Sequence, residues 1–215
     1  MSDERKHKHT SIEPSINGPY LVKNLDELIN SKGEQKETKP FIALCRCGGS
    51  ANKPFCDGTH LRIGFTGEKE PNRVPDRMDD YEGEDIAIYD NRGVCSHRGN
   101  CTDNAPKVFQ MGNEPWIHPD AQDAVETAKV IRTCPSGALS YTKDGTLSKE
   151  WFDEQKIIVT KDGPYDVQGH IKLGDPDGNT PEAKDHYTLC RCGHSKNKPF
   201  CNGQHWHIKF KDPRN

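Results

Sequence analysis

Cys45, Cys47, Cys56 and His60 fall within the sixteen residues CRCGGSANKPFCDGTH, and Cys190, Cys192, Cys201 and His205 repeat the set in CRCGHSKNKPFCNGQH. A thiolate is a soft, charged donor and a neutral imidazole a borderline one. Three of the first with one of the second therefore suit Zn(II) or an iron–sulfur cluster rather than Ca(II) or Mg(II). A zinc ion needs all four donors around one point. A two-iron cluster needs two donors on each iron, and a CxC pair followed by a CxxxH pair divides that way. Spacing alone leaves both readings open.

A third group, Cys95, Cys101 and Cys134, stands between the copies. The nine cysteines thus separate into three sets of three. An odd number in tight clusters argues against a secreted disulfide framework and for thiolates holding metal in a reducing compartment. No cysteine is left over as a nucleophile, and there is no glycine-rich phosphate loop and no HExxH element.

The elements that must position these donors are duplicated. Shifting the chain by 145 residues aligns Gly18–Phe65 with Gly163–Phe210 without a gap: Gly18-Pro19-Tyr20 falls on Gly163-Pro164-Tyr165, Val22 on Val167, Leu44 on Leu189. Two copies at so long a period are not a solenoid, which needs several short stacked units. Two facing halves are expected instead. Each copy reads as a strand near the Gly-Pro-Tyr, a turn at Gly33 or Gly178, and a strand running into the first cysteine. A ligand loop follows, then an alternating strand carrying Ile63 and Phe65 or Ile208 and Phe210. Tyr20, Phe65 and their repeats read as core. Between the copies, IAIYD reads as a strand toward Cys95, and Ala121, Ala124, Val125, Ala128 and Ile131 form a helical stripe before Cys134. The domain reading is a tail at 1–17, a first repeat at 18–66, a linker at 67–81, a middle domain at 82–148, a connector at 149–162 and a second repeat at 163–215. The fold class is α+β and β-rich.

Composition supports a metal-stapled fold. Apolar residues make up 31% of the 215, and even with the 19 glycines added the fraction stays below the roughly 45–50% usual for globular domains. Burial must offset an entropy cost that grows with every ordered residue, and bound metal supplements a thin core. The net charge of −3 gives no whole-chain signature of nucleic-acid or anionic-membrane binding. The longest apolar runs are far shorter than a bilayer span of about 20 residues, and the N-terminus carries no signal-peptide pattern. A soluble, cytoplasmic protein is expected.

Cys45-Arg46-Cys47, Ser50, Pro54 and Cys56-Asp57-Gly58-Thr59-His60 resemble the signature of the CDGSH, or NEET, iron–sulfur family. That resemblance implies a [2Fe-2S] cluster in each copy. Cys45 and Cys47 would hold one iron and Cys56 and His60 the other, with Cys190, Cys192, Cys201 and His205 doing the same. The second copy departs from the pattern at Asn202 and Gln204. Single-motif members pair two halves across a twofold axis, so a chain with two motifs is expected to be a monomer with internal pseudo-twofold symmetry. Imidazole in place of thiolate makes a cluster less negative and raises its potential. It also adds a protonatable ligand.

Cys95-Ser96-His97-Arg98-Gly99-Asn100-Cys101 with Cys134-Pro135 resembles a divergent single-cluster ferredoxin in which Arg98 occupies the middle cysteine position. Arginine stays protonated and does not ligate iron. Three thiolates leave one corner of a cubane open, and the expectation is [3Fe-4S]. The alternative is [4Fe-4S] completed by His97 or an exogenous ligand. Arg46, Lys53, Arg191, Lys196 and Lys198 read as solvated charge around the sites. The resulting expectation is a non-enzymatic electron carrier meeting redox proteins. Cluster storage and transfer to apo iron–sulfur acceptors is the alternative, and a zinc-stabilised interaction module the least favoured.

Overall fold

The computed structural model describes residues 9–215. The first copy contains β1 (Ser11–Pro14), β2 (Tyr20–Lys23), β3 (Leu28–Ile29), β4 (Phe41–Leu44) and a single helical turn, α1 (Thr59–Arg62). The middle region follows with β5 (Asp79–Tyr81), β6 (Ala87–Asp90), α2 (Asn100–Asn104), α3 (Ala124–Ile131), β7 (Leu139–Lys143) and β8 (Thr146–Ser148). The second copy returns with β9 (Lys156–Val159), β10 (Tyr165–Gln168), β11 (Lys172–Leu173), β12 (His186–Leu189) and α4 (Gln204–His207).

Each copy lends a strand to the other. One sheet runs β11-β1-β2-β4 and its mate β12-β10-β9-β3. The exchanged strands pair in parallel with equivalent register: Ile12 lies opposite Leu173, and Ile157 opposite Leu28. The other pairs in these two sheets are antiparallel. Alternation explains the packing. Ile12, Tyr20, Val22 and Leu44 point inward from one sheet and Ile157, Tyr165, Val167 and Leu189 from the other, all at most 1% exposed, as a period of two requires. The third sheet, β5-β6-β7-β8, is an antiparallel meander carrying the middle region. Asp123 caps α3 by accepting from the amides of Val125 (2.9 Å) and Glu126 (3.0 Å), the usual way to satisfy free N–H groups at a helix start. The result is an α+β, β-rich fold with a pseudo-twofold core, as the repeat predicts.

Several sequence expectations are corrected. The segment read as an N-terminal tail contains β1, and the connector at 149–162 contains β9, its repeat. Both are too short to carry a clear alternation. Residues 1–8 of that tail lie outside the described residues. The linker at 67–81 ends in β5, which joins the middle sheet. Ile63 and Phe65 do not lie in a strand, nor do Ile208 and Phe210. Gly58 (φ 83°) and Gly203 (φ 81°) turn the chain into α1 and α4 instead, and a helical turn is what brings each histidine back toward its cysteine. Val125 is 50% exposed, so the buried stripe of α3 is Ala124, Thr127, Ala128 and Ile131.

The copies are cross-braced at their ligand loops. Tyr20 Oη reaches the carbonyls of Cys190 (2.9 Å) and Pro199 (3.0 Å), and Tyr165 Oη those of Cys45 (2.9 Å) and Pro54 (3.0 Å). The two rings meet edge to face at 6.1 Å. The loops also touch through an isolated antiparallel backbone β-bridge between Cys47 and Cys192, whose thiols are free. A Cβ on Gly48 would stand 2.4 Å from the Cys192 carbonyl oxygen, and one on Gly193 2.4 Å from that of Cys47. Both glycines have positive φ, so a side chain there meets strain and backbone together. Gly48→Ala and Gly193→Ala are each expected to cost about 2 kcal/mol or more. Gly33→Ala has positive φ but open space and should cost about 1 kcal/mol. Anaerobic denaturation midpoints check this, and equal losses at the three positions would contradict it.

Candidate iron–sulfur sites

In the first copy, β4 delivers Cys45 and the loop returns antiparallel to it. The Cys45 amide donates to Pro54 O (2.7 Å) and the Cys56 amide to Ala43 O (2.8 Å). Ser50 Oγ pins the loop by donating to Phe55 O at 2.7 Å and accepting from the Asn52 amide at 3.0 Å. Asp57 accepts from the amides of Ala51 (2.8 Å) and Thr59 (3.0 Å). Hydrogen bonding from Thr59, then the Ala51 amide, holds the Asp57 carboxyl well below the usual range. The second copy repeats the frame: Cys190 N to Pro199 O is 2.9 Å, Cys201 N to Thr188 O is 3.0 Å, and Ser195 Oγ donates to Phe200 O at 2.6 Å. Its departure falls at Asn202, whose side-chain oxygen is buried without a partner among the described residues.

The donors stand in pairs. Cys45 Sγ and Cys47 Sγ are 3.8 Å apart, and Cys56 Sγ and His60 Nδ1 are 3.4 Å apart. The second copy gives the same values, 3.8 Å for Cys190–Cys192 and 3.4 Å for Cys201–His205. Among the described residues no three donors close on a single ion position. Two chelating pairs suit two metal centres, one pair to each. Hydrogen bonding from the neighbouring thiol draws Cys45 and Cys190 below the ordinary thiol range. The amides of Gly49 and Gly58 point at Cys47 and Cys56 sulfur at 3.4 Å, where they stabilise thiolate charge. Burial lowers His205 to about 4, leaving the neutral imidazole that a metal needs.

In the middle region, Cys95 follows the 3-10 turn Arg92–Val94, Cys101 lies on α2 and Cys134 follows α3. The three thiols line one cavity of about 250 Å³ together with Asp90, Trp116 and Trp206. Burial raises Cys95 to about 12 and Cys101 to about 11. These groups ionise only when a cation replaces the proton, as metal loading requires. Arg98, in the missing cysteine's place, also lines the cavity and lies 4.0 Å from the buried Asp166 of β10. The His97 carbonyl accepts from Trp206 Nε1 (3.0 Å) while the His97 ring packs on Gly203. The middle cavity and the second copy's site therefore share a wall, and the Trp206 and His205 rings are 5.5 Å apart.

All eleven ligand residues chosen from the sequence fall in these three sites. The arginines differ from expectation: Arg46 is 5% and Arg191 1% exposed. Arg191 is held by Asp212 and donates to the carbonyls of Gly163 and Thr160, each at 2.8 Å. Both guanidinium groups also lie over tyrosine rings, so they brace the loops rather than face water. Lys198, 7% exposed, is also buried. Sequence reasoning treated Tyr20 and Tyr165 as packing and missed their hydroxyls. The signal available was their fixed place after Gly-Pro in both copies.

The donor sets define an iron–sulfur protein, and comparison with known proteins agrees. Residues 17–61 and 162–206 match the family described as iron-binding zinc finger CDGSH type, and residues 81–144 match a divergent 4Fe-4S mono-cluster family. The chain thus carries two CDGSH-type iron-binding domains flanking a divergent mono-cluster domain. The uncharacterized protein YjdI of Escherichia coli (strain K12) is 49% identical over 61 residues, which is 28% of this chain and 80% of YjdI. YjdI of Escherichia coli O157:H7 gives the same figures. No solved structure matches, and no helix among the described residues is long and apolar enough to cross a membrane.

Asp90, on the wall of the middle cavity, is 1% exposed. It accepts from Trp116 Nε1 (3.2 Å) and lies 3.8 Å from Arg92 Nε. Burial raises it to about 7, with Arg92 pulling the other way. An unfolded aspartate ionises near 3.9, so the folded state binds more protons and loses stability as pH climbs from about 4 to about 7. Asp90→Asn removes that penalty. Its stability advantage over the wild-type holo protein, read from denaturation at each pH, is expected to grow from pH 5.5 to about 7 and then level, reaching about 4 kcal/mol at most. An advantage that is flat across this range would contradict the assignment.

Proposed function

We propose that the protein is a non-enzymatic electron carrier with two [2Fe-2S] centres and one cubane centre, acting between redox proteins in a reducing, cytoplasmic compartment. The adjacency of the three sites carries this reading. The middle cavity borders α4 of the second copy, and the CxC loops of the two copies touch, so the sites form one line from middle to second to first. Bound clusters would each accept and release one electron there. The chain's own groups keep water from the second copy's site, neutralise ligand charge with loop amides and hold the loops rigid through the crossed tyrosines.

For the middle centre, the four-iron description of the matching family favours [4Fe-4S] over [3Fe-4S]. His97, which lines that cavity, or an exogenous ligand would fill the fourth corner. Cluster delivery to apo acceptors is a second reading. It is supported by the first site, where Cys56 and His60 are half-buried while Cys201 and His205 are buried.

Anaerobic purification with iron, sulfide and zinc analysis and EPR tests the proposal. About eight irons and eight sulfides per chain are expected for a four-iron middle centre, and about seven irons for a three-iron one. Each signal should disappear or appear reversibly with one-electron reduction. Stoichiometric zinc without sulfide would overturn the redox reading. Cluster transfer to an apo-ferredoxin outpacing electron exchange with a reduced one would favour delivery.

A further inference from the structure

The two CDGSH sites are alike in sequence and unlike in surroundings. The middle region covers the second one. The His97 ring fills the space where a Cβ on Gly203 would sit, at 2.7 Å. Asn197 donates to Asp76 (2.6 Å) and to Gly93 O (2.8 Å), the Glu70 amide donates to Lys196 O (2.8 Å), and Arg98 faces Asp166. Cys201 and His205 are left 2% and 6% exposed. At the first site the same positions are open. Gly58 has nothing within 4 Å of a built Cβ, and Asn52, the counterpart of Asn197, is exposed and meets the C-terminal Arg214.

Apolar side chains flank this open site. Leu61 and Ile63, one and three residues after His60, are 79% and 55% exposed, and Ile16 is 88% exposed. Ile16 belongs to the loop of Gly18, where a Cβ would stand 3.6 Å from His60 Nε2. Arg62 and Arg214 add positive charge to the rim, while the carboxylate of Asp57 is engaged by loop amides. An apolar centre with a polar rim is the anatomy of a recognition surface. The molecule itself shows what kind of body fits against part of such a face, since its own mono-cluster domain sits over Gly203, Asn197 and His205 of the second copy, with Trp206 donating to His97 O while keeping 61% exposure.

We propose that the His60 face is the docking port for a separate small, acidic ferredoxin-type protein, and that the matching approach to His205 is blocked at Gly203 by the His97 ring of the chain's own mono-cluster domain. This deepens the electron-carrier reading and rests on it. With clusters bound, one electron would leave the partner's cluster, oxidising it, and reduce the one that Cys45, Cys47, Cys56 and His60 would hold, from which the second copy's site and then the middle site are next in line.

The test uses the full holo chain, oxidised, mixed anaerobically with a reduced plant-type ferredoxin, whose all-thiolate cluster lies lower in potential than histidine-ligated ones. Each variant is first shown by metal analysis to carry full iron. Leu61→Glu should slow reduction at least tenfold at low ionic strength. Leu61→Lys should slow it less, and Leu147→Glu, on exposed β8, should match wild type. Independently of electron flow, hydrogen exchange with oxidised ferredoxin present should show new protection at residues 58–65 and none at 203–210. The port is overturned if electrons move but Leu61→Glu has no effect, or if protection falls elsewhere. It is also overturned if the holo chain sediments as a dimer that Leu61→Glu dissociates, which would make a second copy the occupant. The electron-carrier reading itself fails if dithionite reduces the centres but ferredoxin never does, while the chain passes iron and sulfide to an apo-ferredoxin.

Discussion

Each ligand loop hangs from a hydroxyl that belongs to the other copy. Tyr20 and Tyr165 are fully buried, and a buried phenol needs a partner for its O–H. Each finds the carbonyls where the opposite strand enters and the opposite loop returns. Two of those carbonyls, of Pro54 and Pro199, already accept the Cys45 and Cys190 amides, so each hydroxyl fastens onto the closed neck of the opposite loop. Neither pocket is therefore a local structure. The exchanged strands β3 and β11 tie the copies at their far ends, and the close approach of Gly48 and Gly193 to the opposite cysteine carbonyls ties them at the ligand end. Each site is thus braced by chain that the other site also uses.

The middle domain breaks this symmetry. It covers one outer face of the doubled core, so β10 and β12 are buried along their whole length while β2 and β4 keep alternating exposure. Arg98 marks the junction. It stands where a ferredoxin-type motif has a cysteine, and it faces Asp166 in a strand of the second copy. Losing a ligand and gaining an interdomain contact occur at the same residue. Sequence pairs such as Asn52 and Asn197, or Gly58 and Gly203, then acquire different surroundings from identical types.

The ligand set was legible because metal chemistry fixes residue type and spacing together, and because duplication repeats the pattern. The meander strand ending near Asp90 and the helix before Cys134 were legible from periodicity. The strand exchange was not, since Leu28–Ile29 and Lys172–Leu173 are two residues each and leave no period to read. β1 left a fainter trace: Ile12 falls on Ile157 at the same offset of 145 that aligns the ligands, just upstream of the gapless block. Ile63 and Phe65 imitated an alternating strand although Ile63 is largely exposed. The buried arginines were misread because a charged side chain shows its partners only in three dimensions: Arg191 reaches Asp212 and two carbonyls across 21 to 31 positions of chain.

The central claim is that each CDGSH pocket offers its four donors as two pairs, to two irons. An iron-edge anomalous difference map from crystals of anaerobically purified protein reads this directly. The account predicts two resolved iron peaks in each pocket, one beside Cys45 and Cys47 with the other beside Cys56 and His60, and the same division at Cys190, Cys192, Cys201 and His205. One peak equidistant from all four donors, or no iron signal at a site filled by zinc, would contradict it.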